Sequence, residues 1–157
     1  MISIGVSSSL TNVPLMETVA LICEDLIRRN IDVGIPISFM KELLLKCTMN
    51  VHFLFNKEPY RQIDGVATGS PLGTILADIF FAKLENGPLK DAINELEFYC
   101  WYMDDTFLIM KNEKEAKNFL HNINEVHLAI NFINEKEKYS ISFLDVLVIR
   151  KEDGAIR

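Results

Sequence analysis

The sequence predicts an α+β fold, in which an antiparallel sheet has helices packed on one face. Short apolar runs with strand character alternate with longer runs whose apolar residues recur at helical spacing. Two pairs of strand-like runs are separated by turn residues, which indicates hairpins. Of the 157 residues, 49% are hydrophobic and 24% are charged. This composition predicts one packed domain, residues 1–157, and argues against disorder.

The first half of the chain is predicted to contain a strand, two helices and a hairpin. Residues 2–6 form the strand, and apolar residues recur at helical spacing from Leu15 to about Asn30. Ser38 caps a second helix. Residues 51–55 and 60–63 pair around a turn at 56–59. The apolar face of the second helix is predicted to consist of Phe39, Met40, Leu43, Leu44 and Cys47.

The second half continues with two helices, a hairpin and closing strands. A loop of small residues, 65–70, leads to a third helix that opens at Ser70-Pro71. Apolar runs on either side of residues 102–105 form the second hairpin. Asn112, with Glu115 three residues later, resembles a capping box that starts a fourth helix. Residues 129–133 and 141–150 are closing strands, and the charged run between them is a solvated turn.

Composition narrows the possible classes of protein. The net charge of −6 is unlike that of a nucleic-acid binder with a basic face, so such a face would have to lie outside this segment. Cys23, Cys47 and Cys100 form no C-x-x-C pair and are predicted to be buried free thiols. Charges interrupt every apolar stretch well short of about 20 residues, so no transmembrane helix is expected. The start of the chain lacks a basic signal, so an intracellular location, nuclear or cytoplasmic, is expected.

The second hairpin carries the strongest chemical signal. Its turn is Tyr102-Met103-Asp104-Asp105, with two adjacent carboxylates. Adjacent carboxylates repel each other unless a cation lies near both, so the pair indicates a divalent metal site. A glycine-rich segment, Gly65 to Gly73, precedes a helix N-terminus, where free N–H groups and the helix dipole favour phosphate. Together these parts suit nucleotidyl transfer assisted by two metal ions.

The chain resembles the palm of reverse transcriptases of the Penelope-like class of retroelements. The similar segments occur in the family's order and cover nearly the whole chain. They are 10–14 with Glu17-Thr18, 60–67 running into 69–73, 102–107, and 143–147. The resemblance implies a palm-like antiparallel sheet and RNA-directed DNA polymerase activity. It also implies a two-ion Mg²⁺ or Mn²⁺ site, an RNA template, a DNA primer and deoxynucleoside triphosphates.

The resemblance also implies a role for individual residues. Asp104 would be the principal metal ligand and catalytic carboxylate, with Asp105 supporting it. Tyr102 and Met103 would lie beneath the primer terminus. Arg61 is a candidate phosphate contact, and a plain surface arginine is the alternative. The floor under the nucleotide and template would be formed by Gly69, Ser70 and Pro71, and the primer-gripping strand would contain Phe143 and Leu144.

The chain departs from the family pattern at the first catalytic aspartate. Spacing back from Thr11 puts that residue at position 5, where this chain has Gly5, and residues 1–16 contain no acid. Leu10 stands where the family usually has an aromatic gate against ribonucleotides, so weaker discrimination between sugars is expected. The fingers and thumb are expected to be absent from this segment. These departures predict a reverse transcriptase domain that is inactive in this form.

Two other functions fit parts of the sequence. A non-catalytic remnant that binds nucleic acid or a partner agrees with Gly5, although the acidic balance argues against tight nucleic-acid binding. A metal-dependent phosphohydrolase would use the same acidic pair, but further carboxylate or histidine ligands at suitable spacing are missing.

Overall fold

The computed structural model describes residues 1–6, 9–102, 105–110, 112–136, 139–151 and 156. The chain divides into two compact units, residues 1–7 with 83–157 and residues 8–82. In chain order the elements are β1 (Ile2–Val6), α1 (Ser9–Asn12), α2 (Leu15–Arg28), α3 (Ile37–Thr48), β2 (His52–Phe55), β3 (Glu58–Arg61), α4 (Gly73–Asn86), α5 (Lys90–Asn94), β4 (Phe98–Tyr102), β5 (Asp105–Ile109), α6 (Glu113–Glu125), β6 (Phe132–Lys136), β7 (Ser140–Phe143) and β8 (Val146–Ile149).

The first unit is built on a four-stranded antiparallel sheet in the order β4-β5-β1-β6. The alternation of strands and helices that the sequence predicted is therefore confirmed as a mixed α+β fold with an antiparallel sheet. The predicted strand at residues 2–6 is confirmed as β1, in the interior of the sheet. The strand contains no charged residue, which suits its position between β5 and β6, because charged residues are more typical of edge strands.

One face of this sheet forms part of the unit's core. Ile2, Ile4 and Val6 alternate with less buried residues along β1, as expected for a strand with one buried face. Ile4 pairs with Thr106 and Ile2 pairs with Leu108, and both partners on β5 are buried. Cross-strand partners lie on the same face. Residues 3, 5, 105 and 107 therefore lie on the opposite face.

The last helix of this unit follows the sequence prediction closely. The Asn112 carboxamide oxygen accepts a hydrogen bond from the Glu115 amide at 2.9 Å, and its Nδ2 donates to Glu115 Oε1 at 2.6 Å. The predicted N-cap is therefore confirmed, although the Glu115 carboxylate accepts from the Asn112 side chain and not from its backbone amide, as it would in a capping box. Further along α6, the Asn124 side chain accepts from the Phe132 amide at 2.8 Å and donates to the Phe132 carbonyl at 3.3 Å. This bridge fixes the start of β6 to α6.

The closing strands differ from the prediction. The first begins at Phe132 rather than residue 129 and continues through Glu135 and Lys136, which were expected in a turn. These two residues pair with Ser3 and Ile2 of β1. Charged residues are acceptable there because β6 is an edge strand. The predicted strand at 141–150 is instead a separate two-stranded sheet, β7-β8.

The second unit packs α2, α3 and the start of α4 around a small apolar core. Its buried members are Leu15, Val19, Cys23, Val66 and Leu76. The predicted inner face of α3 is partly wrong, because Leu44 and Leu45 pack against this core while Phe39 is 66% exposed and Leu43 53% exposed. Apolar residues occur on several sides of this helix, so their spacing does not select one face.

Smaller differences have local causes. The helix predicted to start at Ser38 begins at Ile37 with Pro36 as its N-cap, and the third begins at Gly73. The first hairpin turns over two residues, Asn56 and Lys57, with φ of 51° and 69°. Such left-handed pairs suit the twist of a hairpin, so the turn is shorter than predicted and the second strand begins at Glu58 rather than at residue 60. Cys23 is buried as predicted, whereas the thiols at positions 47 and 100 are exposed.

Among the described residues, no helix has both the length and the apolar character needed to cross a membrane.

Candidate active site

The candidate site begins with the register between β1 and β5. Gly5 lies directly opposite Asp105 in this antiparallel pair, so both residues lie on the same face of the sheet, opposite to the face of Ile4 and Thr106. A Cβ atom placed on Gly5 would lie 3.5 Å from Asp105 Oδ1, which is ordinary van der Waals contact. A side chain at position 5 would therefore point at the Asp105 carboxylate.

The acidic hairpin is only partly as predicted. Tyr102 and Asp105 are cross-strand partners, so β4 and β5 form the expected hairpin. Asp105 belongs to the strand rather than to the turn, because it also pairs with Gly5 in β1. Met103 and Asp104 lie outside the described residues. Tyr102 is 52% exposed beside the site, where it is open to a ligand.

Aromatic side chains cover the sheet next to Asp105. Phe107 is buried on the same face, with its ring centroid 6.0 Å from that of Phe98 and 5.5 Å from that of Phe143. Phe143 of β7 is thus held against the sheet beside the site. The next residue, Leu144, is 47% exposed in the turn of the β7-β8 hairpin, at a φ of 54° that is uncommon for a non-glycine residue.

A hydrogen-bonded chain lies on the other face of the sheet, behind Asp105. The Tyr99 hydroxyl donates to the Glu85 carboxylate at the end of α4 and interacts with the hydroxyl of buried Thr106. Burial first, and then the hydrogen bond with Glu85, raise the pKa of the Tyr99 hydroxyl well above its ordinary range. The sequence did not predict these hydrogen bonds, because a tyrosine in an apolar strand does not indicate which residue its hydroxyl will contact.

Replacing Tyr99 by phenylalanine is expected to change how stability depends on alkaline pH. The folded protein keeps the Tyr99 proton where the unfolded chain loses it, so this contribution is complete below about pH 10 and declines as pH rises. One such group changes the free energy of unfolding by about 1.4 kcal/mol per pH unit above that point. Urea unfolding of both proteins between about pH 9 and pH 11 measures the difference. Identical slopes would show that Tyr99 is not responsible.

The remaining predicted residues lie in the second unit. There Gly65 allows the glycine-rich segment to pack closely against the backbone of Thr11. A Cβ atom on Gly65 would lie 2.0 Å from the Thr11 carbonyl oxygen, and its φ is +74°, so only glycine fits there. The Val66 amide next to it donates to the Leu10 carbonyl at 2.8 Å. This pairing brings half-buried Leu10 to the segment that carries the predicted nucleotide-floor residues.

Two backbone amides in the loop before α4 donate hydrogen bonds within that loop. The Ser70 amide donates to the Ala67 carbonyl at 3.0 Å, and the Gly73 amide donates to the Ser70 carbonyl at 2.9 Å. Both amides therefore already have a partner within a turn. The Ser70 amide had been expected to be free to bind phosphate. Gly69 has a φ of +86° and open space around its Cα, so the backbone is accessible there, and Pro71 is exposed.

Arg61 ends the first hairpin. It is exposed and lies opposite His52. Tyr60 next to it stacks on Phe53, with ring centroids 5.7 Å apart. The guanidinium is therefore accessible to a phosphate. The same exposure is expected of an ordinary surface arginine.

The predicted residues thus form two groups. Gly5, Asp105, Tyr102, Phe143 and Leu144 belong to the first unit. Leu10, Arg61, Gly69, Ser70 and Pro71 belong to the second. Within the described part of the chain, which excludes Asp104, no three His, Cys, Asp or Glu side chains gather in a way that could hold a metal ion.

The antiparallel sheet, its helices and the carboxylate at the hairpin define a palm-like domain of the polymerase class. Residues 22–151 match the family model described as reverse transcriptase (RNA-dependent DNA polymerase). That match covers well over half of the chain, and the chain belongs to the reverse transcriptase family.

A curated relative points the same way. Over 66 residues the chain is 36% identical to the telomerase reverse transcriptase of Takifugu rubripes. The matched segment is 42% of this chain and 6% of the telomerase, so the chain spans a small part of that protein. Reverse transcriptases as a family use divalent metals and act on a nucleic-acid template and primer.

Proposed function

We propose that this chain is the palm portion of a retroelement reverse transcriptase, of the Penelope-like class, which does not catalyse DNA synthesis in this form. The observation that supports it is the register of Gly5 opposite Asp105. The position that faces the carboxylate at ordinary contact distance has no side chain to contribute.

The remaining acidic residues suit a weakened divalent-metal site. Asp104 and Asp105 are the proposed ligands, with Asp104 also the principal catalytic carboxylate. Mg²⁺ or Mn²⁺ ions, when bound, would assist attack by the primer 3′-hydroxyl and departure of pyrophosphate. Loss of a ligand at position 5 removes several kcal/mol of charge stabilisation. Because about 1.4 kcal/mol of barrier is tenfold in rate, synthesis is expected to slow by several orders of magnitude.

Nucleic acid and nucleotide contacts are assigned from the resemblance to the family. Exposed Tyr102, with Met103, would support the primer terminus, and Phe143 and Leu144 beside the sheet would hold the primer strand. The half-buried Leu10 is proposed to contact the nucleotide sugar. Arg61 is proposed to contact a phosphate of the RNA template, the DNA primer or the incoming deoxynucleoside triphosphate. The nucleotide floor is assigned to Gly69, Ser70 and Pro71.

Primer extension tests the proposed loss of activity. The purified chain is incubated with poly(rA) primed by oligo(dT), dTTP and either Mg²⁺ or Mn²⁺, beside an active reverse transcriptase as the positive control. We expect no incorporation. Template-dependent synthesis that Asp104→Ala abolishes would contradict the proposal.

A second candidate, a non-catalytic remnant that binds nucleic acid, is favoured by Gly5 and opposed by the net charge of −6. Filter binding of single-stranded RNA at low salt tests whether this chain binds nucleic acid at all. Retention that is lost on adding salt, without any synthesis, supports the binding remnant, and no retention removes it.

A further inference from the structure

A groove in the first unit lies away from the residues assigned above. Its volume is about 650 Å³, within the range of ligand-binding clefts, and it runs between α5 with the two residues after it and one side of α6. Leu96 and the buried Phe119 form its apolar floor. The elements on both sides belong to the same unit, so their relative placement is part of one compact body.

The rim of the groove is polar and carries negative charge. Glu95 lies on one side, and Glu115 lies on α6 on the other. Asn118 and Asn122 follow Glu115 along α6 at spacings of three and four residues, so all three lie on one helix face. The amides of Asn118 and Asn122 make no side-chain hydrogen bond to any part of the chain that the structure describes.

The charge of the groove limits what it can bind. Among the lining residues that the structure describes, two carry carboxylates and none is a lysine or an arginine. The sequence before β4 adds to this, because residues 91–97 contain three acids and no base. Lys117 on the same helix is not in the groove and pairs with Glu113 at 3.6 Å. Such a surface repels phosphates, so nucleic acid is a poor ligand and a cationic partner is a good one.

We propose that this groove binds an extended peptide segment of a partner protein that carries lysine or arginine together with an apolar side chain. The carboxylates of Glu95 and Glu115 would hold the cationic group, since charge-assisted hydrogen bonds are the stronger ones. The amides of Asn118 and Asn122 can each donate to and accept from a peptide backbone. The apolar side chain would cover Leu96 and Phe119. This proposal does not depend on polymerase function.

Peptide titration followed by ¹⁵N NMR tests it on the intact chain. The probe is acetyl-Gly-Leu-Lys-Leu-Lys-Gly-amide, and the comparison peptide has glutamate at both lysine positions. We expect saturable shifts of the Asn118 and Asn122 side-chain amide signals with the lysine peptide, and at least tenfold weaker binding of the glutamate peptide. Equal binding of the two peptides, or shifts confined to other surfaces, would overturn the proposal.

Charge-neutralising variants provide the control. Glu95→Gln with Glu115→Gln should weaken binding of the lysine peptide at least fivefold, and the glutamine carbonyl at position 115 can still accept the hydrogen bond from Asn112 Nδ2. Glu125→Gln removes a charge from the same helix outside the groove and should change the affinity less than twofold. Unchanged spectra outside the groove show that each variant is folded. An equal loss in Glu125→Gln would mean that net charge, rather than the groove, decides binding.

Discussion

A Gly5→Asp variant is expected to bind Mn²⁺ at least tenfold more tightly than the unsubstituted chain. The new carboxylate would stand beside Asp105, because a Cβ at position 5 lies 3.5 Å from Asp105 Oδ1. Gly5 has no left-handed φ and sits in a regular strand, so aspartate is compatible with its backbone. The substitution therefore adds a ligand without requiring the fold to move.

The size of the effect follows from simple electrostatics. Two unit charges about 4 Å apart interact by about 1 kcal/mol in bulk water, so a carboxylate and a divalent ion gain about 2 kcal/mol. A tenfold change in affinity needs about 1.4 kcal/mol. Direct coordination and partial exclusion of water increase the gain further.

Electron paramagnetic resonance of free Mn²⁺ measures the affinity, and thermal unfolding with and without Mn²⁺ provides a second readout. Ligand binding to the folded state raises stability by about 2.7 kcal/mol at 100 times the dissociation constant. Gly5→Asn has nearly the same shape without the charge and should not tighten binding. Asp105→Asn in the Gly5→Asp background should lose most of the gain. Equal Mn²⁺ affinity in the aspartate and asparagine variants would refute a paired-carboxylate site.

A Leu108→Ala variant is expected to lose about 3 kcal/mol of unfolding free energy. Leu108 is fully buried in β5, between its cross-strand partners Ile2 and Tyr99. Truncation removes apolar contacts and leaves a cavity in the sheet that carries Asp105. A loss of this size is a large fraction of the stability of a small domain.

Urea unfolding followed by the fluorescence of Trp101, the single tryptophan, measures this loss. Leu147→Ala is the matched control, because it makes the same change at a position in β8 that is 55% exposed. The control should lose less than about 1 kcal/mol. Similar losses in both variants would mean that Leu108 is not in a packed core.

Local signals predicted the elements that depend on local chemistry. The Asn112 cap, the strand at residues 2–6 and the hairpin of β4 and β5 all follow from neighbouring residues, and the structure contains each of them. The inner face of α3 and the continuation of β6 through Lys136 were predicted wrongly. Both depend on which distant surface lies against the element, and residue spacing does not contain that information.

By itself the sequence determined the class of this protein, because the order of its motifs is a property of the chain and needs no coordinates. It also predicted, from the resemblance, that Gly5 stands where the family has its first catalytic aspartate. Only the tertiary structure decided that this position faces Asp105, since two residues 100 positions apart meet through strand register alone. The same is true of the Tyr99–Glu85 hydrogen bond and of the acidic groove on α6, which arise where separate elements pack together.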